Sequence, residues 1–226
     1  YKENGSLNKF IELQQNGESP SEYDNTAKQI ILCGIAHGMM TLHSHHVIHF
    51  DLKPANVLLD SNLFPCITDF GVSDKENKKR KYVVGTSVYI APEVYEGTNS
   101  TSKADVYSFG ILMYEVLSGE FAYSDLLSDK KFHIFKLGLM VIDGYRPQFN
   151  FPIKSSFKRL IEQCWSANPN KRPTFKEIFR KLSLSAPEDD DDLFDKQLLK
   201  VLSRKLSKEE ENDAFLEEEN DAFLEE

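Results

Sequence analysis

The chain has 226 residues, of which 40% are hydrophobic, and its 27 basic and 36 acidic residues give a formal net charge of −9. This composition suffices for one sizeable hydrophobic core, and the length is typical of one or two domains. No apolar run reaches the roughly 18–20 residues that a bilayer span needs, which excludes a membrane-spanning helix.

Two helices are predicted near the start of the chain. Three apolar residues at helical spacing predict a short helix over residues 6–15. A second apolar face predicts a long amphipathic helix over about residues 25–46, with Asn25 or Thr26 as its N-cap. The apolar positions are Leu7, Phe10 and Ile11 in the first helix and Ile31, Leu32, Ile35, Met39 and Leu42 in the second.

A small β-hairpin and a long loop follow. Two short strands are predicted at Val57–Leu59 and Cys66–Thr68, joined by a turn at Asp60–Asn62. Residues 73–90 are polar, partly basic and without periodicity, which predicts a long loop. Because long loops are uncommon in compact domains, such a loop is usually functional or disordered.

The rest of the body is predicted to be helical. Apolar residues at helical spacing predict a helix over residues 106–117, which Gly119 ends. Further helices are predicted near residues 132–143, 156–166 and 174–183. The body is therefore expected to consist mainly of helices with one small hairpin.

The negative charge is concentrated at the C-terminal end. Residues 187–226 hold 16 acidic and 5 basic residues, whereas residues 1–186 hold 20 acidic and 22 basic ones. An acidic tail repels nucleic acid, and the body has no basic stripe with interleaved aromatic residues, so no nucleic-acid partner is expected. The sequence predicts two parts, a nearly neutral domain over residues 1–186 and an acidic tail over residues 187–226.

The tail contains two segments of its own. Apolar spacing over residues 193–206, with acidic residues before it and basic residues near its end, predicts a short helix. The eight-residue repeat EEENDAFL then occupies residues 209–216 and 217–224. Two copies are too few for a solenoid core, so the repeat is either a solvated, disordered segment or a short motif for a protein partner.

Cysteine usage bears on the cellular location. Cys33, Cys66 and Cys164 lie far apart and form no CxxC pair, which argues against a disulfide framework and against a Cys-based zinc site. A reducing, cytoplasmic location is therefore expected. The chain begins with Tyr1, and residues 1–10 lack a basic stretch followed by an apolar run, so we expect no signal peptide and a fragment of a longer protein.

The chemistry is concentrated in the segment HFDLKPAN at residues 49–56, which is followed by Asp69-Phe70-Gly71. Phosphoryl transfer to a hydroxyl needs a carboxylate near the acceptor oxygen, oxygen ligands for Mg²⁺ and a cation near the phosphoryl group. Asp51 supplies the carboxylate and Lys53 the cation, and Asn56 and Asp69 supply oxygen ligands of the kind that Mg²⁺ prefers. The hairpin between these two ligands can bring them to one side of a loop.

Five motifs resemble the large lobe of a eukaryotic protein kinase over roughly residues 1–183. They are HFDLKPANVLLD, DFG, GTSVYIAPE, the Asp105 of DVYSFG and the Arg172 of KRPTF. The resemblance implies a protein-kinase-like α+β fold, here mainly the helical C-terminal lobe, and YKENGSL at the start is similar to the linker between the two lobes. It implies ATP-dependent phosphorylation of proteins, with ATP and Mg²⁺ as cofactors.

The residues within these motifs also resemble particular groups of kinases. DVYSFGILMYEVLSG and RPTF resemble the tyrosine-kinase-like group, whereas Lys53-Pro54 and GTSVYIAPE resemble serine/threonine kinases. The resemblance therefore implies protein substrates with serine or threonine acceptors.

The resemblance assigns catalytic and ligand-binding roles. Asp51 would orient the substrate hydroxyl and accept its proton, and Lys53 would contact the γ-phosphate of ATP. Asn56 and Asp69 would hold Mg²⁺. Thr86 would connect the substrate-binding loop to Asp51 and Lys53.

The other implied roles concern the adenine and the architecture of the lobe. Leu58 would lie beneath the adenine ring. Glu93 and Arg172 would form a buried ion pair, and Asp105 would hold backbone amides of the catalytic loop. Further structural positions are His49, Phe70 and Gly71, the first two in a regulatory hydrophobic stack.

Two departures from the family pattern affect the expected activity. Phe50 replaces the arginine that usually precedes the catalytic aspartate and receives an activation-loop phosphate, so we expect that loop phosphorylation is not required. The chain also holds no Gly-rich phosphate loop, strand lysine or partner glutamate of a small lobe. We therefore expect this chain alone to bind ATP poorly and to be inactive.

Alternative interpretations remain for several features. His43, His45, His46 and His49 suggest a zinc site, but their spacing is not typical of zinc and the first three suit the C-terminal end of a helix. Asp105 lies three residues after Ser102 and also fits a capping box. The basic residues 78–81 either recruit an acidic partner or are simply solvated. For the whole protein, the alternatives are a catalytically silent pseudokinase or scaffold and an interaction module that acts through its tail.

Overall fold

The computed structural model describes residues 3–75, 84–97 and 101–184. Helices predominate in these residues, as the sequence predicts. The helices are α1 (Leu7–Gln15), α2 (Asn25–Ser44), α3 (Pro92–Tyr95), α4 (Lys103–Ser118), α5 (Ser124–Leu127), α6 (Ile134–Ile142), α7 (Ser155–Cys164) and α8 (Phe175–Ser183). The strands are β1 (Gly5–Ser6), β2 (Val47–Ile48), β3 (Val57–Leu59), β4 (Pro65–Ile67) and β5 (Asp74–Lys75), and 3₁₀ turns cover Pro54–Asn56, Ser87–Tyr89 and Pro169–Lys171.

The core is built around α2 and α4. Most side chains of α4 are buried, including Tyr107 and Phe109, and α2 contributes Ile31 and Leu32, which are not exposed at all. Each fully buried aliphatic side chain of this kind stabilises the fold by about 1.5–3 kcal/mol. A Cβ at Gly110 would lie 2.9 Å from the Cβ of Cys164, so glycine permits the close approach of α4 to α7.

Two small antiparallel sheets position the loops on either side of β3. In the first, β3 lies between β1 and β4, with Leu58 opposite Ser6 on one side and Cys66 on the other. In the second, β2 pairs with β5 through Val47 opposite Lys75. The segment from residue 49 to residue 56 therefore runs between two strands that are each held in a sheet.

The structure corrects the predicted strands. The predicted hairpin acquires β1 as a third strand, and part of the predicted 73–90 loop forms β5 and the turn Ser87–Tyr89. Strands of two residues cannot show the alternation by which strands are recognised in a sequence. Four-residue helices α3 and α5 are likewise too short to show a helical period.

Helix ends agree with the prediction at some sites and differ at others. The N-cap of α2 is Asp24, whose carboxylate accepts a hydrogen bond from the Ala27 N–H at 2.8 Å, so the predicted caps Asn25 and Thr26 are wrong. Gly119 ends α4 in the left-handed region at φ = +74°, which confirms the predicted stop. Helix α8 begins with a capping box between Thr174 and Glu177.

Several predictions lie outside the described residues. These are the acidic tail with its short helix and its repeat, and the basic residues 78–81. No helix in the described part of the chain has the length and hydrophobicity that crossing a bilayer requires.

Candidate active site

The Asp51 carboxylate lies at the centre of a cluster of polar side chains. One oxygen, Oδ2, accepts hydrogen bonds from the Lys53 amine at 2.7 Å and from the Asn56 amide nitrogen at 3.0 Å. The other, Oδ1, accepts from the Thr86 N–H at 2.9 Å and from the Thr86 hydroxyl at 2.8 Å. Both oxygens are thus held by neighbouring donors, which defines the direction in which the carboxylate points.

The surroundings of Asp51 favour its charged form. Its burial is partial and on its own would raise the pKa, but hydrogen bonds from Lys53 and Thr86, together with the Lys53 charge, outweigh that effect. The pKa of Asp51 therefore lies below its usual value. The group is ionised at neutral pH and is able to accept a hydrogen bond from a substrate hydroxyl.

Lys53 and Thr86 connect two distant segments of the chain. The Lys53 amine donates to the Thr86 hydroxyl oxygen at 2.6 Å, and that hydroxyl in turn donates to Asp51. Thr86 lies 35 residues after Asp51, immediately before the turn Ser87–Tyr89. The structure therefore brings the three residues with predicted catalytic roles into direct contact.

Asn56 and Asp69 are the candidate cation ligands. The Asn56 amide nitrogen donates to the Asp51 backbone oxygen at 2.8 Å and to its carboxylate, and neither bond uses the amide oxygen. Asp69 is exposed, and it follows Thr68, whose N–H and hydroxyl donate to the Asn56 backbone oxygen at 2.9 and 3.1 Å. An amide oxygen and a carboxylate from adjoining segments form a hard-oxygen donor set that fits Mg²⁺.

His49 is the first residue of the candidate catalytic segment, which comprises residues 49–56. It is fully buried, its Nδ1 accepts from the Asp51 N–H at 3.3 Å, and its Nε2 donates to the Thr68 backbone oxygen at 3.0 Å. Its ring lies 5.1 Å from that of Phe70, which is 47% exposed. The exposed Gly71 donates its N–H to Asp69 at 3.4 Å, so the predicted structural residues of this region adjoin the ligand pair.

Asp105 fixes the backbone of His49 and Phe50 through hydrogen bonds. Its two carboxylate oxygens accept the N–H groups of His49 and Phe50, each at 2.8 Å. Phe50 has φ = +64°, a left-handed backbone conformation that L-residues rarely adopt, and its side chain is buried. The alternative capping-box role is not found, because the side chain of Ser102 does not cap α4.

His43 is a partner of Asp105 that the sequence analysis did not identify. Its Nε2 lies 2.9 Å from Oδ2 of Asp105, across 62 residues of sequence. The nearby His45 instead contacts the Thr41 backbone oxygen through Nδ1 at 2.9 Å. Within the described residues, no group of three or more His, Cys, Asp or Glu side chains is placed to hold a metal ion, so the zinc interpretation gains no support.

Glu93 of α3 forms a bidentate ion pair with Arg172, which directly follows the turn Pro169–Lys171. The two guanidinium NH groups donate to the two carboxylate oxygens at 2.6 and 2.7 Å. The guanidinium also donates to the backbone oxygens of Lys103 and Ser166, each at 2.8 Å. Arg172 is 2% exposed, so the pair lies within the protein interior.

The buried carboxylate of Glu115 is another feature that the sequence patterns do not predict. Glu115 of α4 accepts hydrogen bonds from the Tyr89 hydroxyl at 2.8 Å and from the Ala122 N–H at 2.9 Å. Burial raises the pKa of Glu115 to about 7, although both hydrogen bonds act in the opposite direction. In the sequence this group is visible only as a glutamate within an apolar helix, and that pattern does not indicate that Tyr89 is its partner.

Leu58 lies on the face of β3 that does not face the core. Its neighbours Val57 and Leu59 are fully buried, whereas Leu58 is half-buried. Because alternate residues of a strand point to opposite faces, Leu58 contributes an apolar surface next to the polar cluster. Such a surface is suitable for contact with an aromatic ring.

A comparison with known protein families identifies the family to which this chain belongs. The model of the protein kinase domain matches residues 1–182. The chain belongs to the protein kinase family. This result confirms the predicted family and the α+β, mainly helical kinase fold; the assignment to the tyrosine-kinase-like group remains a prediction.

Several individual kinases are similar in sequence to this chain. RGS domain-containing serine/threonine-protein kinase A of Dictyostelium discoideum is 36% identical over 179 residues, which cover 79% of this chain and 15% of that protein. Dual specificity protein kinase shkD of the same organism is 37% identical over 175 residues, covering 76% and 23%. A protein kinase and PP2C-like domain-containing protein of Arabidopsis thaliana is 31% identical over 194 residues, covering 71% and 30%. The chain spans less than a third of the length of these relatives.

Proposed function

We propose that the protein transfers the γ-phosphate of ATP to serine or threonine hydroxyls of other proteins. The observation that carries this proposal is the Asp51 carboxylate, held ionised between Lys53, Asn56 and Thr86. A carboxylate directed in this way accepts a hydrogen bond from the substrate hydroxyl and takes up its proton as the new O–P bond forms. The family match supports the same reaction.

Each neighbouring residue then has a defined task. The Lys53 amine lies within hydrogen-bond distance of Asp51 and Thr86, which places its positive charge beside the acceptor position for contact with the γ-phosphate. Asn56 and Asp69 would hold Mg²⁺, and a bound divalent ion would neutralise negative charge on the phosphates. Leu58 would support the adenine ring through its half-buried apolar surface.

Serine/threonine specificity is the finer part of the proposal. It is supported by the Lys53–Thr86 contact beside the acceptor position and by the names of relatives described as serine/threonine-protein kinases. One relative is named a dual specificity kinase, so a tyrosine substrate belongs in the test. We expect the full-length gene product to phosphorylate Ser and Thr peptides with Mg·ATP and to leave the matched Tyr peptide unmodified. Modification of the Tyr peptide alone, or of none of the three, would contradict the proposal.

The proposed magnesium ligands Asn56 and Asp69 are tested through the dependence of kinase activity on the Mg²⁺ concentration. Replacing Asn56→Ala or Asp69→Asn removes one proposed oxygen ligand, so we expect a higher Mg²⁺ concentration for half-maximal activity of the full-length protein. Asp60→Asn is a less informative control, because the Asp60 carboxylate accepts a hydrogen bond from the Asn62 N–H and so stabilises the turn in which it lies. The exposed Asp143 is the better one, and Asp143→Asn should leave the Mg²⁺ requirement unchanged. An unchanged requirement in both ligand variants would refute the assignment.

Loop phosphorylation is proposed to be dispensable. Phe50 places a buried aromatic side chain where other kinases carry a phosphate-binding arginine. We expect Ser73→Ala, Tyr82→Ala and Ser87→Ala to retain activity in the full-length protein, whereas Thr86→Ala loses it because Thr86 contacts Asp51 directly. A large loss confined to the Ser73 or Tyr82 variant would argue for a required phosphorylation.

The activity of this chain by itself is a separate proposal. Its 226 residues contain no GxGxxG motif, and we propose that residues 1–186 form the kinase portion with an acidic tail after it. On this basis the chain alone binds ATP weakly and does not turn over. A second candidate is a silent scaffold that acts by protein interaction, and the repeat EEENDAFL at residues 209–216 and 217–224 favours an interaction through the tail. Signalling that survives Asp51→Asn but not deletion of residues 187–226 would identify that role.

A further inference from the structure

The turn Ser87–Tyr89 is held by side chains from two helices. The Tyr95 hydroxyl, at the end of α3, donates a hydrogen bond to the Ser87 backbone oxygen at 2.6 Å. The Ser108 hydroxyl of α4 donates to the Tyr89 backbone oxygen at 2.8 Å. Each end of the turn is therefore connected to a helix by a side-chain hydroxyl.

The turn adjoins the residues with proposed catalytic roles. Thr86 directly precedes it, and the Thr86 backbone oxygen accepts the Tyr89 N–H at 2.9 Å. The N–H and the hydroxyl of Thr86 both donate to the Asp51 carboxylate. Because Thr86 and Ser87 share a peptide bond, a displacement of the Ser87 backbone also moves the groups that contact Asp51.

The aromatic ring of Tyr95 lies against Gly138 of α6. A Cβ at residue 138 would lie 2.8 Å from Cε1 of Tyr95 and 3.2 Å from Cζ, the carbon that bears the hydroxyl. The ring therefore fills the space that a side chain at residue 138 would need, and glycine allows the hydroxyl to reach Ser87. Burial raises the pKa of Tyr95 to about 12, so the hydroxyl keeps its proton at neutral pH and is able to donate it.

We propose that Tyr95 is a positioning residue for the protein substrate of the kinase reaction. Peptide residues next to the acceptor must lie close to Asp51, and the turn Ser87–Tyr89 adjoins that carboxylate. By holding the Ser87 backbone oxygen, Tyr95 keeps the turn in the arrangement that receives these peptide residues. Tyr95 thus acts through the backbone of the turn. This inference rests on the proposed function.

The expected kinetic effect follows from this indirect role. The apparent affinity of a ligand falls with the fraction of protein that has the binding-competent arrangement. Loss of the Tyr95 hydrogen bond lowers that fraction, so the KM for the peptide rises. Saturating peptide restores the arrangement, so kcat is retained.

The first test compares Tyr95→Phe with the native full-length gene product, using Mg·ATP and a Ser or Thr peptide. The variant keeps the ring and removes only the hydroxyl. We expect the KM for the peptide to rise about threefold to tenfold, as the loss of one hydrogen bond allows, while kcat and the KM for ATP change by less than about twofold. Tyr114→Phe is the matched control, because the Tyr114 hydroxyl donates to another backbone oxygen, that of Gln148, at 3.0 Å. It should leave the KM for the peptide unchanged.

A double-mutant cycle separates positioning from a general loss of structure. Gly138→Ala places a Cβ against the Tyr95 ring and displaces its hydroxyl from Ser87, although alanine favours a helix more than glycine does. We expect Gly138→Ala alone to raise the KM for the peptide. In the presence of Tyr95→Phe it should add less than about twofold, because the same hydrogen bond is already lost. Effects that multiply in the double variant would overturn the link between α6 and the turn.

Hydrogen exchange tests the position of the turn without turnover. In the full-length protein without peptide, Tyr95→Phe and Gly138→Ala should speed amide exchange in residues 86–90, whereas Tyr114→Phe should not. A native protein that modifies no peptide would refute the proposed function itself. If the native protein is active, an unchanged peptide KM in Tyr95→Phe, equal changes in Tyr95→Phe and Tyr114→Phe, or unchanged exchange of residues 86–90 would overturn this inference alone.

Discussion

The buried ion pair of Glu93 and Arg172 allows a quantitative test of how α3 is held to the segment after the turn Pro169–Lys171. Replacing Arg172→Met removes the guanidinium and leaves the Glu93 carboxylate, which is 7% exposed, without its counter-charge. The backbone oxygens of Lys103 and Ser166 also lose the hydrogen bonds that the guanidinium donates to them. Adding Glu93→Leu to this variant removes the carboxylate that has lost the Arg172 charge but does not restore those two hydrogen bonds.

The expected free energies follow from these contacts. Leaving one member of a buried ion pair alone costs about 3–5 kcal/mol, whereas replacing both members with apolar side chains is often close to neutral. The double variant Glu93→Leu/Arg172→Met should therefore be about 3 kcal/mol more stable than Arg172→Met alone. It should remain less stable than the native chain, because the two hydrogen bonds from Arg172 to backbone oxygens stay lost and each such bond contributes about 0.5–1.5 kcal/mol.

Urea unfolding followed by tryptophan fluorescence measures these differences. Trp165 is the single tryptophan, is 5% exposed and directly precedes Ser166, whose carbonyl accepts a hydrogen bond from Arg172. With a denaturant dependence of about 2 kcal/mol per molar urea, a 3 kcal/mol difference moves the midpoint by about 1.5 M. Arg159→Ala, at an exposed position of α7, is the matched control and should change stability by about 0.5 kcal/mol or less.

Two results would refute this reasoning. If Arg172→Met lowered stability by less than about 1 kcal/mol, the pair would not be the buried charge pair that the structure shows. If the cost of the double variant equalled the sum of the two single costs, the side chains would not be energetically coupled.

Two further predictions concern stability. Because burial raises the pKa of Glu115 to about 7, above its unfolded value of 4.5, its contribution is present below pH 4.5 and is lost as the pH rises to about 7. Glu115→Gln should remove this decrease from urea midpoints measured between pH 5 and pH 8, and an unaltered pH profile would contradict the assignment. Thr174→Ala should cost about 0.5–2 kcal/mol by loss of the α8 cap, whereas Thr174→Ser, which keeps the hydroxyl, should cost much less. Equal costs in the two Thr174 variants would show that the hydroxyl does not cap the helix.

Longer elements of the fold were predictable because they repeat a pattern. Helices α2 and α4 carry apolar residues at helical spacing over several turns, and Gly119 marks the end of α4. The polar cluster was also accessible, since Asp51, Lys53 and Asn56 lie within six consecutive residues. Local sequence therefore specifies both the main helices and the centre of the site.

Features that depend on long-range contacts were not predictable in this way. His43 meets Asp105 across 62 residues, and Tyr89 meets Glu115 across 26 residues. Neither pair leaves a periodic or local signal, because each exists only once α2, α4 and the loop have packed together. The N-cap of α2 was predicted wrongly for a different reason. Asp24, Asn25 and Thr26 are all suitable N-cap residues, and only the extended backbone of Asp24, at ψ = −175°, decides among them.

The proposed role of Asp51 is to orient the acceptor hydroxyl and to receive its proton. Its most direct test is the kcat of the full-length gene product with Mg·ATP and a Ser or Thr peptide, compared with Asp51→Asn and with the exposed control Asp143→Asn. We predict that Asp51→Asn lowers kcat about 10²- to 10⁴-fold, the usual contribution of general acid–base catalysis, and that Asp143→Asn does not change it. Equal kcat values for Asp51→Asn and the native protein would contradict the account.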